Sequence, residues 1–82
     1  MTKHSPAGQT LDLRDLPAPE PLEAALGAAE ALRGGESFVA LTPRVPALLL
    51  VRLRERGFAV QATEEADGSG RIAVSRPSGV ER

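Results

Sequence analysis

Two segments of the sequence begin with proline, carry apolar residues at helical spacing and end at glycine. In the first, Pro21 precedes leucines and alanines that recur three and four residues apart, and Gly34-Gly35 follow. In the second, "PALLLVRLRERG" runs from Pro46 to Gly57. Proline fits the first turn of a helix, where its missing N–H would have no acceptor, and glycine takes the left-handed conformation that ends a helix. The sequence therefore predicts two helices in these segments.

Four short segments with strand-like patterns surround the two helices. They are Leu11–Arg14, Phe38–Thr42, Phe58–Thr63 and Arg71–Arg76. Asp67-Gly68 is a strong hairpin signal between the last two, so the predicted order is β-α-β-α-β-β. A helix that connects two parallel strands is a right-handed crossover, which places both helices on the same face of the sheet. The predicted fold class is α/β, an α+β two-layer sandwich with a four-stranded mixed sheet.

The 82 residues are predicted to form one folded unit with two loose ends. Residues 1–9 are polar and contain Pro6 and Gly8, which is typical of a disordered arm. Residues 10–76 form the domain, and residues 77–82 are predicted to be a flexible tail.

Composition argues against several classes of function. Ten basic and eleven acidic residues give a net charge of −1, whereas nucleic-acid binding needs a basic face. The chain has no cysteine, so thiolate catalysis, disulfides and cysteine metal sites are excluded. The longest apolar run, Val45–Val51, is too short to cross a bilayer, and the first residues lack the apolar core of a signal peptide. We expect a cytoplasmic protein with no membrane or nucleic-acid partner.

The segment "LDLRDLPAPEPLEAAL", followed by "GGE" and a half that includes "LRERGFAV", resembles the TusA/SirA-like domains. It is most similar to a branch of uncharacterised small proteins that share the proline-rich turn but lack the cysteine. The resemblance covers about Leu11 to Arg76. It implies the same sandwich with strand order 1-2-4-3 and an antiparallel last strand.

The resemblance also indicates what is missing from this chain. In TusA-like sulfurtransferases, a cysteine before the Pro-Glu-Pro sequence carries sulfur as a persulfide. Here that position is Ala18, while Pro19, Glu20 and Pro21 match the motif. Alanine cannot hold a persulfide, so we expect a protein that is not an enzyme: a binding or accessory module with an unknown protein partner and no cofactor. The alternatives are an accessory role in sulfur transfer or sulfur metabolism, in which a partner supplies the cysteine, and binding of a small anion.

The first candidate site is the end of the domain at which both helices begin. In the predicted topology, both helix N-termini lie at the carboxyl ends of parallel strands, where free N–H groups favour anions. The candidate residues here are Arg14, Pro17, Ala18, Pro19, Glu20, Pro21 and Arg44. The alternative is that the prolines only stiffen the turn and the arginines are solvated, since Glu20 and Glu23 already use part of the positive field.

The second candidate site is the outer face of the second helix. If Leu49, Leu50 and Leu53 are buried, Leu48 and Val51 lie on the opposite side of a helix with 3.6 residues per turn. With flanking arginines they would form an exposed apolar strip suited to a partner or to a weak homodimer, the chain being otherwise a monomer. The alternative is isolated surface leucines, which are common.

Two further groups of polar residues carry weaker hypotheses. His4 is the only histidine and lies in the predicted arm, so a metal site there lacks a second ligand. Glu64, Glu65 and Asp67 form a carboxylate cluster, a type of group that binds metals or transfers protons. A solvated hairpin tip explains this cluster as well, and we predict no metal site.

Overall fold

The computed structural model describes residues 7–17 and 20–78, and its elements follow the predicted order. The strands and helices are β1 (Thr10–Asp12), α1 (Glu20–Glu30), β2 (Ser37–Thr42), α2 (Ala47–Glu55), β3 (Ala59–Glu64) and β4 (Gly70–Ser75). β1 ends two residues earlier than predicted. The Asp12 carboxylate accepts a hydrogen bond from the Arg14 backbone N–H at 3.1 Å, and such an Asx turn bends the chain away from the strand.

The four strands form one mixed sheet in the order β1-β2-β4-β3. β1 and β2 are parallel, whereas β4 is antiparallel to both β2 and β3. The predicted two-layer sandwich and the strand order implied by the resemblance are confirmed. In this topology the loops that follow β1 and β2 each lead into a helix, so both helices begin at the same edge of the sheet.

The core lies between the helices and one face of the sheet. Aliphatic side chains and two phenylalanines fill it: Leu13, Ala25, Ala29, Leu32, Phe38, Ala40, Leu49, Leu53, Phe58, Ile72 and Val74 are all buried. Along β4 the buried residues alternate with exposed ones, as expected of a strand with only one face covered. Neither of the two described helices covers the other face of the sheet.

The ends of the chain differ from the prediction in one respect. Gly8 N–H donates to Ser37 O at 2.7 Å, and Val39 N–H donates to Gln9 O at 3.0 Å, so part of the segment predicted to be disordered is bonded to β2. Backbone pairing needs no apolar side chains, which is why a polar composition concealed it. Residues 1–6 and 79–82 of the predicted arm and tail lie outside the described residues. Within the described ranges, neither helix has the length and apolar character needed to cross a bilayer.

Candidate functional site

A cavity of about 580 Å³ opens between the starts of the two helices. Its lining comes from the loop after β1, the first turn of α1, the end of β2 and the loop into α2. The residues are Arg14, Leu16, Pro21, Leu22, Thr42, Pro43, Arg44 and Pro46; we call this the helix-start cavity. Of the residues predicted for this end of the domain, the structure therefore brings Arg14, Pro21 and Arg44 together.

Prolines and leucines form most of the cavity wall. Pro21 lies in the first turn of α1, Pro43 and Pro46 lie in the loop between β2 and α2, and all three have fixed φ angles. They offer no backbone N–H donor, so the wall is rigid and largely apolar. Such a surface suits an apolar group, while the polar groups at its edge set which group is accepted.

A buried hydroxyl holds the β2–α2 side of the cavity in place. Thr42 is 1% exposed, and its Oγ1 donates to Arg44 O at 2.7 Å. Opposite it, Gly70 leaves room for the loop: a Cβ at Gly70 would lie 2.6 Å from Thr42 Oγ1 and 3.0 Å from Arg44 O. β4, the strand that contains Gly70, therefore supports the loop that carries Arg44.

The two arginines of the cavity have different electrostatic surroundings. Arg14 is paired with Asp12, with Nε to Oδ1 at 2.8 Å and NH2 to Oδ2 at 2.7 Å. These hydrogen bonds lower the pKa of Asp12 from 3.8 to about 2, and the same contact raises the pKa of Arg14. The Arg44 side chain is exposed, and its guanidinium makes no hydrogen bond or ion pair with the described residues. Arg44 is thus the cation available to a ligand.

The two helix starts also differ in charge. α1 has Glu20 and Glu23 in its first turn, whereas α2 has no acidic residue there. Pro46 makes no side-chain cap, and Leu50 N–H donates to Pro46 O at 3.1 Å, so the amides that precede Leu50 lack helical acceptors. No acidic residue in the first turn of α2 therefore offsets the positive end of its dipole, which lies close in sequence to Arg44.

The rest of the proline-rich turn is only partly described. Pro17 O accepts a hydrogen bond from Glu20 N–H at 2.9 Å, and both residues are exposed. Ala18 and Pro19, which are candidate site residues from the sequence, lie outside the described residues.

The predicted phase of α2 is confirmed. Leu49 and Leu53 are fully buried and Leu50 is half-buried, whereas Leu48 is 55% and Val51 is 49% exposed. These two are the large exposed hydrophobic residues of the described chain. Together with exposed Ala47 they form what we call the α2 strip. It begins at the residue after Pro46, which lines the helix-start cavity.

The acidic hairpin has a local structural role. Asp67 accepts hydrogen bonds from Ser69 N–H at 2.9 Å and Ser69 Oγ at 2.6 Å, and these bonds lower the pKa of Asp67. Among the residues that the structure describes, no three side chains of the metal-binding types come together. His4 lies outside these residues.

Two features of the site are not among the sequence predictions. The sequence pattern places Asp12 in a strand and assigns it no partner, although a carboxylate two residues before an arginine is itself a signal for a local pair. The contact of Thr42 with the Arg44 backbone has a weaker signal: a hydroxyl follows the apolar run "FVAL", where a fifth apolar residue would be expected of a buried strand.

The fold is a small two-layer sandwich, in a chain that has no cysteine. A SirA-like protein from Desulfitobacterium hafniense has the same fold: its crystal structure matches with a TM-score of 0.72 and 18% sequence identity, over 83% of this chain and 96% of that one. The chain belongs to the family of uncharacterised conserved proteins designated DUF2249, which matches residues 10–76. No curated protein matches it. The predicted resemblance to TusA/SirA-like domains is confirmed.

Proposed function

We propose that this domain is a non-catalytic binding module of the TusA/SirA-like type that contacts a partner protein. The partner would place an apolar side chain in the helix-start cavity and cover the α2 strip. The observation that carries this proposal is the cavity itself, an apolar depression with the unpaired Arg44 at its edge. The absence of cysteine from the sequence supports a binding role rather than sulfur carriage.

The charge at the cavity favours a partner segment that ends in, or contains, a carboxylate. Arg44 and the uncompensated start of α2 both attract negative charge. The α2 strip begins within the same helical turn and offers Leu48 and Val51 as apolar contacts. Apolar contacts at the centre of an interface with charged groups at its rim are the usual arrangement of protein–protein contacts.

Photo-crosslinking in the native host tests this proposal directly. A photoreactive residue at position 48 or 16 should capture the same protein, identified by mass spectrometry. The same residue at position 73, which is exposed on the uncovered face of the sheet, is the control and should not capture it. Equal capture from all three positions, or none at positions 48 and 16, would contradict the proposal.

A charge reversal then examines the role of Arg44. Arg44→Glu should reduce the captured protein strongly, because the new carboxylate repels an acidic partner. Arg33→Glu makes the same change in net charge at an exposed residue beyond the other end of α1. It should leave capture unchanged. An equal loss from both variants would mean that only net charge matters.

Small-anion binding is a second candidate, favoured by the same charge asymmetry. Titration with sulfate should move the amide resonances of Ala47, Leu48 and Leu49 if the start of α2 is the site. Shifts confined to the residues around Glu20 would place the anion at α1 instead. No shift at either helix would exclude this candidate.

An accessory role in sulfur transfer is the third candidate, and it rests on the SirA-like fold. Because the chain has no cysteine, a partner would have to supply the thiol that carries the sulfur. Mixing the domain alone with a persulfide donor should give no gain in intact mass. A stable gain of one sulfur atom would contradict the non-catalytic proposal.

A further inference from the structure

β3 forms one edge of the sheet and is open to solvent along nearly its whole length. It pairs with β4 on one side, and none of the described strands lies on the other. All six residues of "AVQATE" are exposed except Val60, which is half-buried. Edge strands are usually protected by proline, lysine or a bulge, because their free backbone groups otherwise pair with another strand. The segment contains neither proline nor lysine.

The hydrogen bonds of the hairpin establish which backbone groups point outward. Glu65 N–H donates to Ser69 O at 2.8 Å, and bonded and non-bonded pairs alternate along an antiparallel ladder. With the register Glu64↔Gly70, the N–H and C=O of Val60, Ala62 and Glu64 therefore point away from β4. Consistent with this, Val60 O accepts a hydrogen bond from the Arg54 side chain instead, at 3.4 Å.

The charges beside this edge are arranged in a self-complementary way. Arg54 lies near Val60, at one end of β3, and exposed Glu64 lies at the other end. Side chains alternate along a strand, so Glu64 points to the same face as Val60, which packs against the core. That is the face on which α2 and Arg54 lie.

We propose that β3 pairs antiparallel with β3 of a second copy of this chain, around a two-fold axis at Ala62. In that register Ala62 faces the second Ala62, and Val60 faces Glu64 of the other copy. The Glu64 carboxylate then lies beside Arg54 of the other copy, twice in the dimer. Ala62 has the small side chain that close approach at the axis requires, and two four-stranded sheets become one continuous sheet.

Reversal of the two charges tests the pairing and its register together. Arg54→Glu and Glu64→Arg each place like charges beside one another at both ends of the interface. Each variant alone should self-associate at least roughly tenfold more weakly than the wild-type chain. An equimolar mixture of the two variants should recover dimers, because every reversed charge then meets its opposite. Sedimentation equilibrium measures all three, and circular dichroism verifies that each variant is folded.

A proline at the axis tests the backbone bonds. Ala62→Pro removes an N–H that points outward, so the pairing with β4 should survive, while the dimer should be lost. Ala62→Ser keeps both the N–H and a small side chain and is the control. The proposal is overturned if the wild-type chain stays monomeric at high concentration, if the mixture of charge variants does not associate, or if folded Ala62→Pro associates like the wild type. None of these results bears on the helix-start cavity, which lies elsewhere on the domain.

Discussion

Gly70 is a position at which any side chain would clash with its neighbours. It has no left-handed φ angle to explain it; instead, a Cβ there would lie 2.6 Å from Thr42 Oγ1. The neighbouring groups are the backbone of Arg44 and Val45, which cannot rotate away as a flexible side chain would. Both the fold and the cavity therefore depend on the absence of a side chain at this position.

We expect Gly70→Ala to lower the free energy of unfolding by about 1–3 kcal/mol, the usual range for overpacking. Gly27→Ala is the matched control. Gly27 is exposed within α1, and a Cβ there meets nothing within 4 Å. This change should raise stability by about 0.5–1 kcal/mol, since alanine is the better helix former. Urea unfolding of both variants measures these changes in the free energy of unfolding. If Gly70→Ala leaves the free energy of unfolding unchanged, the loop that carries Arg44 adapts to the added Cβ.

The pKa of Asp12 gives a prediction for pH dependence. Its pKa is lowered in the folded state, from 3.8 to about 2, chiefly by the side-chain hydrogen bonds from Arg14. A depressed carboxyl pKa stabilises the fold above the ordinary pKa, and this contribution is lost as the pH falls from 3.8 toward 2.

Arg14→Gln should therefore raise the pKa of Asp12 toward 3.8, as measured by carboxyl NMR titration. Arg71→Gln removes an arginine that does not contact Asp12 and is the control. A pKa that stays near 2 in Arg14→Gln would mean that the backbone N–H of Arg14 alone holds the carboxylate.

At the scale of the elements, α2 has two faces with different requirements. Leu49 and Leu53 are fully buried in the core, whereas Leu48 and Val51 are about half exposed. Changing Leu48 and Val51 together to lysine should alter the free energy of unfolding by no more than ~0.5 kcal/mol, because surface substitutions have small effects. Leu49→Lys should unfold the domain, since it buries an unpaired charge. Thermal unfolding followed by circular dichroism distinguishes the two outcomes.

The elements themselves could be predicted from the sequence to different degrees. Both helices follow from apolar spacing and from proline and glycine at their ends, and these signals are local. The ends of the strands are less well predicted, because they depend on pairing: β1 stops where Asp12 bonds the Arg14 backbone. The strand order has no signal in the periodicity at all and came only from the family resemblance.

The candidate site likewise could be predicted from the sequence only in part. Arg14, Pro21 and Arg44 could be assigned to one end of the domain because topology brings the two helix starts together. The contact between Thr42 and Gly70 could not be predicted from the sequence, since 28 residues separate them and neither residue type requires the other. Nor did the sequence indicate that Arg14 would be paired while Arg44 remains free among the described residues.

At the scale of the whole molecule, Arg76 connects three parts of the chain. Its Nε donates to Leu32 O at 2.6 Å, just beyond α1, and its guanidinium lies 4.8 Å from the centre of the Phe58 ring. Its backbone N–H donates to Glu36 O at 2.9 Å. One half-buried side chain thus joins the end of β4, the end of α1 and the start of β3.

Arg76→Ala should lower the free energy of unfolding by about 1.5–3 kcal/mol, the range for a hydrogen bond from a charged group. Arg76→Lys should recover only part of this, because an ammonium group does not stack on the ring or donate as a planar guanidinium does. Arg71→Ala, at an exposed arginine on the same strand, should change stability by no more than ~0.5 kcal/mol. Equal effects of the two alanine variants in urea unfolding would contradict this role of Arg76.

The position of β4 has a consequence for how the chain reaches this structure during synthesis. β4 is the last strand in sequence, yet it lies between β2 and β3. The β3–β4 hairpin is local and can form quickly, whereas β2 must wait for partners that lie up to 38 residues away, from Ser37 to Ser75. Until that hairpin docks, the apolar strand "FVALT" has an unpaired edge exposed to chaperones and to other nascent chains. The wall of the helix-start cavity includes the end of β2, so the proposed binding surface would be complete only once β4 has docked.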